Sequence, residues 1–210
     1  MTTSLKPRTN EIINQDLKTI KLDFNFIVSL GKEEDYEKFK TYKLFHLTRN
    51  NTTIFIDSLL TEYEFENKLF PIIIKTEDNS FELLFEINDR PNKNYLKRLI
   101  VKDNKLVRQD KLPTFEAKPI DINNDGITEY AGYWDYSQVW GDDNNLTAYN
   151  PILYYSITTK GLLLDSLLTI ERNKMIYGEF YGFEFSEINA QSISVKEKFK
   201  QELKKINGGH

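Results

Sequence analysis

Short apolar runs of strand length, bounded by Asn, Asp, Gly and Pro, recur along most of this chain, and that pattern predicts β-strands rather than helices. The clearest runs are 69–75 (LFPIIIK), 81–87 (FELLFEI) and 151–157 (PILYYSI), with a further strand over 20–29. Residues 71–74 carry no polar position at all and read as a strand covered on both faces. One segment breaks the pattern. Residues 194–206 (SVKEKFKQELKKI) put Val195, Phe199, Leu203 and Ile206 on one helical face and five lysines elsewhere, with Gly208 and Gly209 just beyond as a stop signal. An amphipathic helix docked on the sheets is expected there, in preference to one lying on a membrane surface.

Three segments repeat a common plan: 46–68 (HLTRNNTTIFIDSLLTEYEFENK), 99–118 (LIVKDNKLVRQDKLPTFEAK) and 155–174 (YSITTKGLLLDSLLTIERNK). Each reads as strand, polar turn, strand, then Asp-x-Leu-x-Thr, and the aligned Asp57, Asp110 and Asp165 are separated by 110 − 57 = 53 and 165 − 110 = 55 positions. Repeated hairpins at such a period suit propeller blades or an open, sandwich-like assembly. Three units are fewer than the roughly four blades that close a propeller, so the sandwich-like arrangement is the expectation. The fold class expected is mainly β: antiparallel sheets built from repeated hairpins, propeller-like or sandwich-like, with a C-terminal amphipathic helix.

Composition fits one domain. The chain has 210 residues, 40% of them hydrophobic, with 14 Phe and 12 Tyr of the kind that pack across neighbouring strands. Residues 1–17 are polar and aperiodic and read as a flexible tail, with a short helical turn at 10–16, ahead of a single β-rich domain over 18–210.

The most specific chemistry lies in 118–135 (KPIDINNDGITEYAGYWD). Asp121, Asn123 and Asp125 alternate into a sharp turn at Gly126, and Glu129 comes next; with the backbone carbonyl of Ile127 they offer a set of hard oxygen donors suited to Ca²⁺. Three carboxylates on one turn repel by about 1 kcal/mol per pair at 4 Å in water and about 4 kcal/mol at an effective dielectric of 20, a cost that a cation removes. Counting from Asp121, the twelfth position is Gly132 instead of a bidentate Glu, and the flanks read as strands, so this is no EF-hand. The stretch resembles the FG-GAP or VCBS-type repeat of integrin-like propellers, in which a strand enters an Asp-x-Asn-x-Asp-Gly-x-x-acid loop and a second strand, here AGYWD, leaves it. The resemblance covers about twenty residues, with Glu129 where Asp is commoner. It implies a structural Ca²⁺ that braces the loop.

Aromatic residues crowd the chain after that loop. Tyr133, Trp134, Tyr136 and Trp140 are expected to form a contact surface for a protein or a glycan, because rigid rings beside polar groups bury much area at little entropic cost. The competing expectation is that alternate members of the run fill the core.

Other classes find little support. There is no cysteine, and the two histidines are His46, in an expected strand, and His210, so thiol–imidazole pairs and ordinary zinc sites are excluded. A net charge of −4 and no basic-aromatic stripe argue against nucleic acid, and no apolar run spans a membrane. A carboxylate-dependent glycan hydrolase is the alternative, with Asp135, Asp142, Asp143, Glu179 and Glu184 as candidates among 32 acidic residues. The chain shows no signal peptide and, if native from Met1, reads as cytoplasmic. Ca²⁺ sites of modest affinity instead favour a periplasmic, cell-surface or extracellular address, and the Asn/Lys/Ile-rich, cysteine-free β composition looks like that of a bacterial envelope protein.

Overall fold

The structure, a computed structural model, describes residues 17–36, 39–58, 62–65, 67–134, 139–140, 146–191 and 193–208. Of residues 32, 34–36, 39, 139–140, 187–191 and 193–194 it describes the backbone alone. The helical turn expected at 10–16 lies outside these residues.

Strands dominate, as the sequence leads one to expect. Nine form one antiparallel sheet: β1 (Lys18–Lys21), β2 (Phe26–Tyr36), β3 (Phe39–Arg49), β4 (Thr52–Asp57), β5 (Glu62–Glu64), β6 (Ile72–Glu77), β7 (Ser80–Asn88), β8 (Tyr95–Lys102) and β9 (Lys105–Pro113). The order is β1-β2-β3-β5-β7-β8-β9. The first half of β3 pairs with β5 and its second half with β4, while β7 pairs first with β6 and then with β5. These partner switches bend the sheet around a core that includes Phe26, Phe45, Tyr63, Phe81 and Phe85, all essentially without solvent exposure. Lys97 of β8 reaches Asp57 of β4 at 2.6 Å, tying the two arms of the bend together. Type I′ turn chemistry sets the hairpins: Asn50-Asn51 and Asp103-Asn104 hold positive φ at both central positions.

A second sheet comprises β10 (Glu129–Gly132), β13 (Leu153–Thr158) and β14 (Gly161–Leu164), in the order β10-β13-β14. Bridges Phe115↔Gly132 and Ile120↔Glu129 lay residues 115–120 along its free edge. A small third sheet joins β11 (Val139–Trp140), β12 (Leu146–Tyr149) and β15 (Ser186–Gln191). One face of the second sheet packs on the outside of the first through Leu84, Leu96, Phe115, Leu153, Tyr155 and Leu162. Its other face carries Ala131 and Tyr154, which lie under α1 (Ser166–Tyr177) and α2 (Ile193–Ile206). The assembly is sandwich-like.

Helix α2 falls where its periodicity places it, with Val195 and Ile206 buried and Phe199 and Leu203 packed beside them. Helix α1 is not expected from the sequence pattern. All three repeated segments contain their hairpin, but the chain beyond the hairpin differs among them. Asp110 lies within strand β9, whereas Asp165 caps α1 by accepting the Leu168 N–H at 2.9 Å. The same Asp-x-Leu-x-Thr letters thus build a strand in one place and a helix start in another, and the repeats do not form equivalent blades. Residues 71–74 are covered on both faces, Ile73 toward the first core and Ile72 and Ile74 toward the second.

Two polar clamps hold the layers. Glu82 on β7 accepts both Arg98 Nε and Nη2 (3.0 and 2.8 Å) and the backbone N–H of Leu162 on β14 at 3.0 Å. Glu202 on α2 accepts Arg172 of α1 in a two-pronged pair and the Tyr154 hydroxyl of β13 at 2.9 Å.

Candidate metal centre

Residues 121–128 form a turn, exposed from 123 onward, in which the side chains of Asp121, Asn123 and Asp125 fold back on the loop backbone. Asp121 accepts the N–H of Asp125 at Oδ1 (3.1 Å) and of Gly126 at Oδ2 (2.9 Å). Asn123 Oδ1 accepts the Asp125 N–H at 3.1 Å, while its amide donates to Asp125 Oδ2 at 2.8 Å; Asp125 Oδ1 accepts the Ile127 N–H at 2.8 Å. Such Asx turns are what Asp and Asn do in tight loops. Gly126 has φ +87, a region that suits glycine, and Asn124 sits at φ 62.

Glu129 differs from its neighbours. It opens β10, is 1% exposed, and accepts the Ile122 N–H through Oε2 at 3.1 Å, so its carboxyl lies against the loop backbone. Its Oε1 is buried with no hydrogen-bond partner. Burial pushes the Glu129 carboxyl above the ordinary range; the Ile122 N–H opposes this, and the charges of Asp125, Asp121 and Asp165 add to it. Among the described residues no three Asp, Glu or His side chains are gathered closely enough to hold an ion. The carboxylates of Asp121 and Asp125 are turned onto loop N–H groups, with Glu129 beneath them. The donor set is nevertheless all oxygen, and the unpartnered Glu129 Oε1 is an acceptor that lacks a positive group. In donor chemistry, though not in the placement of their carboxylates, the residues suit a hard cation.

No family model, curated protein or solved structure matches this chain. The chemistry of the site therefore rests on its own residues.

Strand β10 leads from Glu129 directly to the aromatic segment. Tyr133 is half-buried, meets Phe199 of α2 edge-on with centroids 5.2 Å apart, and carries Lys93 Nζ 3.4 Å above its ring. Lys93 is also paired with Glu116. Trp134 is half-buried, its carbonyl accepts the Asn150 amide, and Lys111 Nζ stands between it and Tyr95, 5.7 and 3.8 Å from the two ring centroids. Tyr136 and the side chain of Trp140 lie outside the described residues. Further along the run Tyr149, Tyr154 and Tyr155 are core residues; Tyr149 donates to the Gly182 carbonyl and burial raises its hydroxyl to about 12.

Sequence reasoning missed the lysines on these rings, and it missed a second acidic site. Glu64 and Glu86 face each other across β5 and β7, and the Asn94 amide reaches both, at 2.7 and 3.2 Å. Glu86 is 5% exposed, and burial raises its carboxyl above the usual range, with Asn94 opposing the shift and the Glu64 charge adding to it. Asn94 occupies the space between the two carboxyls that a glycosidic bond would need. Of the hydrolase candidates, Glu179 and Glu184 are both exposed, and Asp135, Asp142 and Asp143 lie outside the described residues.

Glu86 has a defined pH signature. Its folded-state affinity for a proton exceeds the unfolded one, so its favourable contribution is present below the unfolded carboxylate value and is lost as pH rises toward the folded one. Glu86→Gln is expected to melt above the parent at pH 7, and the gap should close as pH falls through the carboxylate range. A gap that persists or widens at acid pH would contradict this, and paired thermal melts across pH decide it.

Proposed function

We propose that this chain is a non-enzymatic binding or assembly module, braced by one Ca²⁺ held by Asp121, Asn123, Asp125, the Ile127 carbonyl and Glu129. The observation that carries the reading is the Glu129 carboxylate, buried under an acidic turn with one oxygen unpartnered. A buried acceptor without a donor costs about 1–3 kcal/mol, more when charged, and a divalent cation would offset that cost and the repulsion within the turn. The brace acts on what adjoins it: Tyr133 and Trp134 come a few residues after Glu129 on the same strand exit. The segment containing Tyr133, Trp134, Tyr136 and Trp140 is the contact surface of this reading, with a protein or glycan of a bacterial cell envelope as partner. Ca²⁺ is abundant outside the cytoplasm, which suits a periplasmic, cell-surface or extracellular setting.

No helix among the described residues is long and apolar enough to cross a membrane.

The test is a thermal melt of EDTA-treated protein with Ca²⁺ or Mg²⁺ restored. At a hundred times Kd the ion should add about 2.7 kcal/mol, which for a chain of this size is a rise of roughly 5–11 °C. Asp121→Ala and Asp125→Ala should lose the rise. Glu129→Gln should also lose it, while its metal-free form melts no lower than the metal-free parent, because the neutral amide relieves the buried carboxylate. No shift at millimolar Ca²⁺ would reduce the loop to an ordinary turn.

A further inference from the structure

We propose that occupation of the 121–129 loop is coupled to docking of helix α2, so that the metal-free protein holds this helix less tightly than the loaded one. This inference rests on the Ca²⁺ reading above and states what the ion would regulate.

Ile122 stands between Asp121 and Asn123, and its side chain turns inward. It packs against the cluster that contains Val195 and Ile206 of α2, while its N–H is held by Glu129. The loop that would bind the ion therefore contributes directly to the apolar layer under the helix.

Glu129 belongs to the same face. In β10 it alternates with Tyr130 and shares its side of the sheet with Ala131, and Ala131 is paired with Tyr154. The Tyr154 hydroxyl donates to Glu202 of α2. Loop and helix thus meet the same apolar cluster, and Tyr154 ties that face of the sheet to α2.

The unpartnered Glu129 Oε1 supplies the driving force. A buried anionic oxygen is relieved by proton uptake, by a cation, or by opening of the layer that excludes water. Helix α2 packs on the cluster that Ile122 joins, and its docked and undocked forms are two discrete states that an ion held by the loop can bias. The Arg172–Glu202 pair opposes opening, which keeps α2 docked for most of the time and makes the effect a shift in a minor open population. By linkage, a docked α2 raises the affinity of the loop for its ion by the same factor.

Amide hydrogen exchange of residues 195–206 in the full chain tests the coupling, with titration calorimetry of Ca²⁺ run in parallel. At free Ca²⁺ ten times the measured Kd, α2 amides that exchange by local opening should slow about tenfold relative to EDTA, with little change in β2 and β3. In Ile122→Ala, which keeps all the proposed ligands, calorimetry should still record binding while the slowing falls below about twofold. Binding heat with unchanged α2 exchange in the parent overturns the coupling and leaves the Ca²⁺ reading intact. Equal slowing of β2 and β3 also overturns it, as uniform stabilisation. Absence of binding heat at millimolar Ca²⁺ overturns both.

Discussion

Glu82→Ala is expected to lower stability by about 3–5 kcal/mol, the range for removing one partner of a buried ion pair. Arg98 would keep a buried guanidinium whose remaining contacts are the Leu162 carbonyl and, at 3.9 Å, Asp110. The Leu162 N–H would lose its acceptor as well, and Leu162 is 2% exposed, so water does not readily replace it. Because Glu82 is on the first sheet and Leu162 on the second, the loss loosens the interface between layers. In urea the midpoint should fall with the slope unchanged. A change of less than about 1 kcal/mol would mean that the clamp is solvated and behaves like a surface pair. Gly161 reports on the same place: it holds φ +105, and a Cβ there would overlap the Glu82 carboxylate, so Gly161→Ala should destabilise in the same direction.

Glu202→Ala should be comparable in size, about 3–5 kcal/mol, for the same physical reason. It strips Arg172 of a two-pronged partner and leaves the Tyr154 hydroxyl, in a side chain with no exposure, without its acceptor. The loss should be regional. Helix α2 is fastened by this carboxylate and by Val195, Phe199, Leu203 and Ile206, so its amides should exchange fast while the first sheet keeps its protection. Replacing both charges, as Glu202→Leu with Arg172→Met, should recover most of the stability, since an apolar pair of similar volume avoids burying ions. Failure of the double variant to recover would place the energy in the Tyr154 contact instead.

The two clamps differ in how visible they are beforehand. Glu202 lies in a helix whose periodicity is plain, and it falls near the seam between the apolar stripe and the lysines. Glu82 sits in FELLFEI, where strand alternation alone marks it as facing solvent. It is buried because β7 is central and covered on both faces, once by the bent sheet and once by the second sheet. Glu86 and Asn88 are buried for the same reason.

Local chemistry, in this chain, settles what depends on near neighbours. Apolar runs and Asn-rich turns specify strands and hairpins, a 3.6-residue period specifies α2, and Asp-x-Asn-x-Asp-Gly specifies a turn with its own Asx hydrogen bonds, because each of these is decided within a few residues. Helix α1 escaped that logic because Ser166–Tyr177 has no clean apolar stripe: Leu167 and Met175 point to solvent, and Thr169 and Asn173 share the buried face with Leu168 and Ile176, bonded to the backbone of β13 and its approach. Which strand lies between two layers, which carboxylate is sealed from water, and which lysine covers an aromatic ring are long-range outcomes. Glu82 meets Leu162 across 80 residues of chain, and Glu129, next to an exposed turn in sequence, is 1% exposed in the folded protein with one oxygen unpartnered. Only the tertiary structure decides these, since burial and field depend on every layer that packs against a group and not on the residues beside it in sequence.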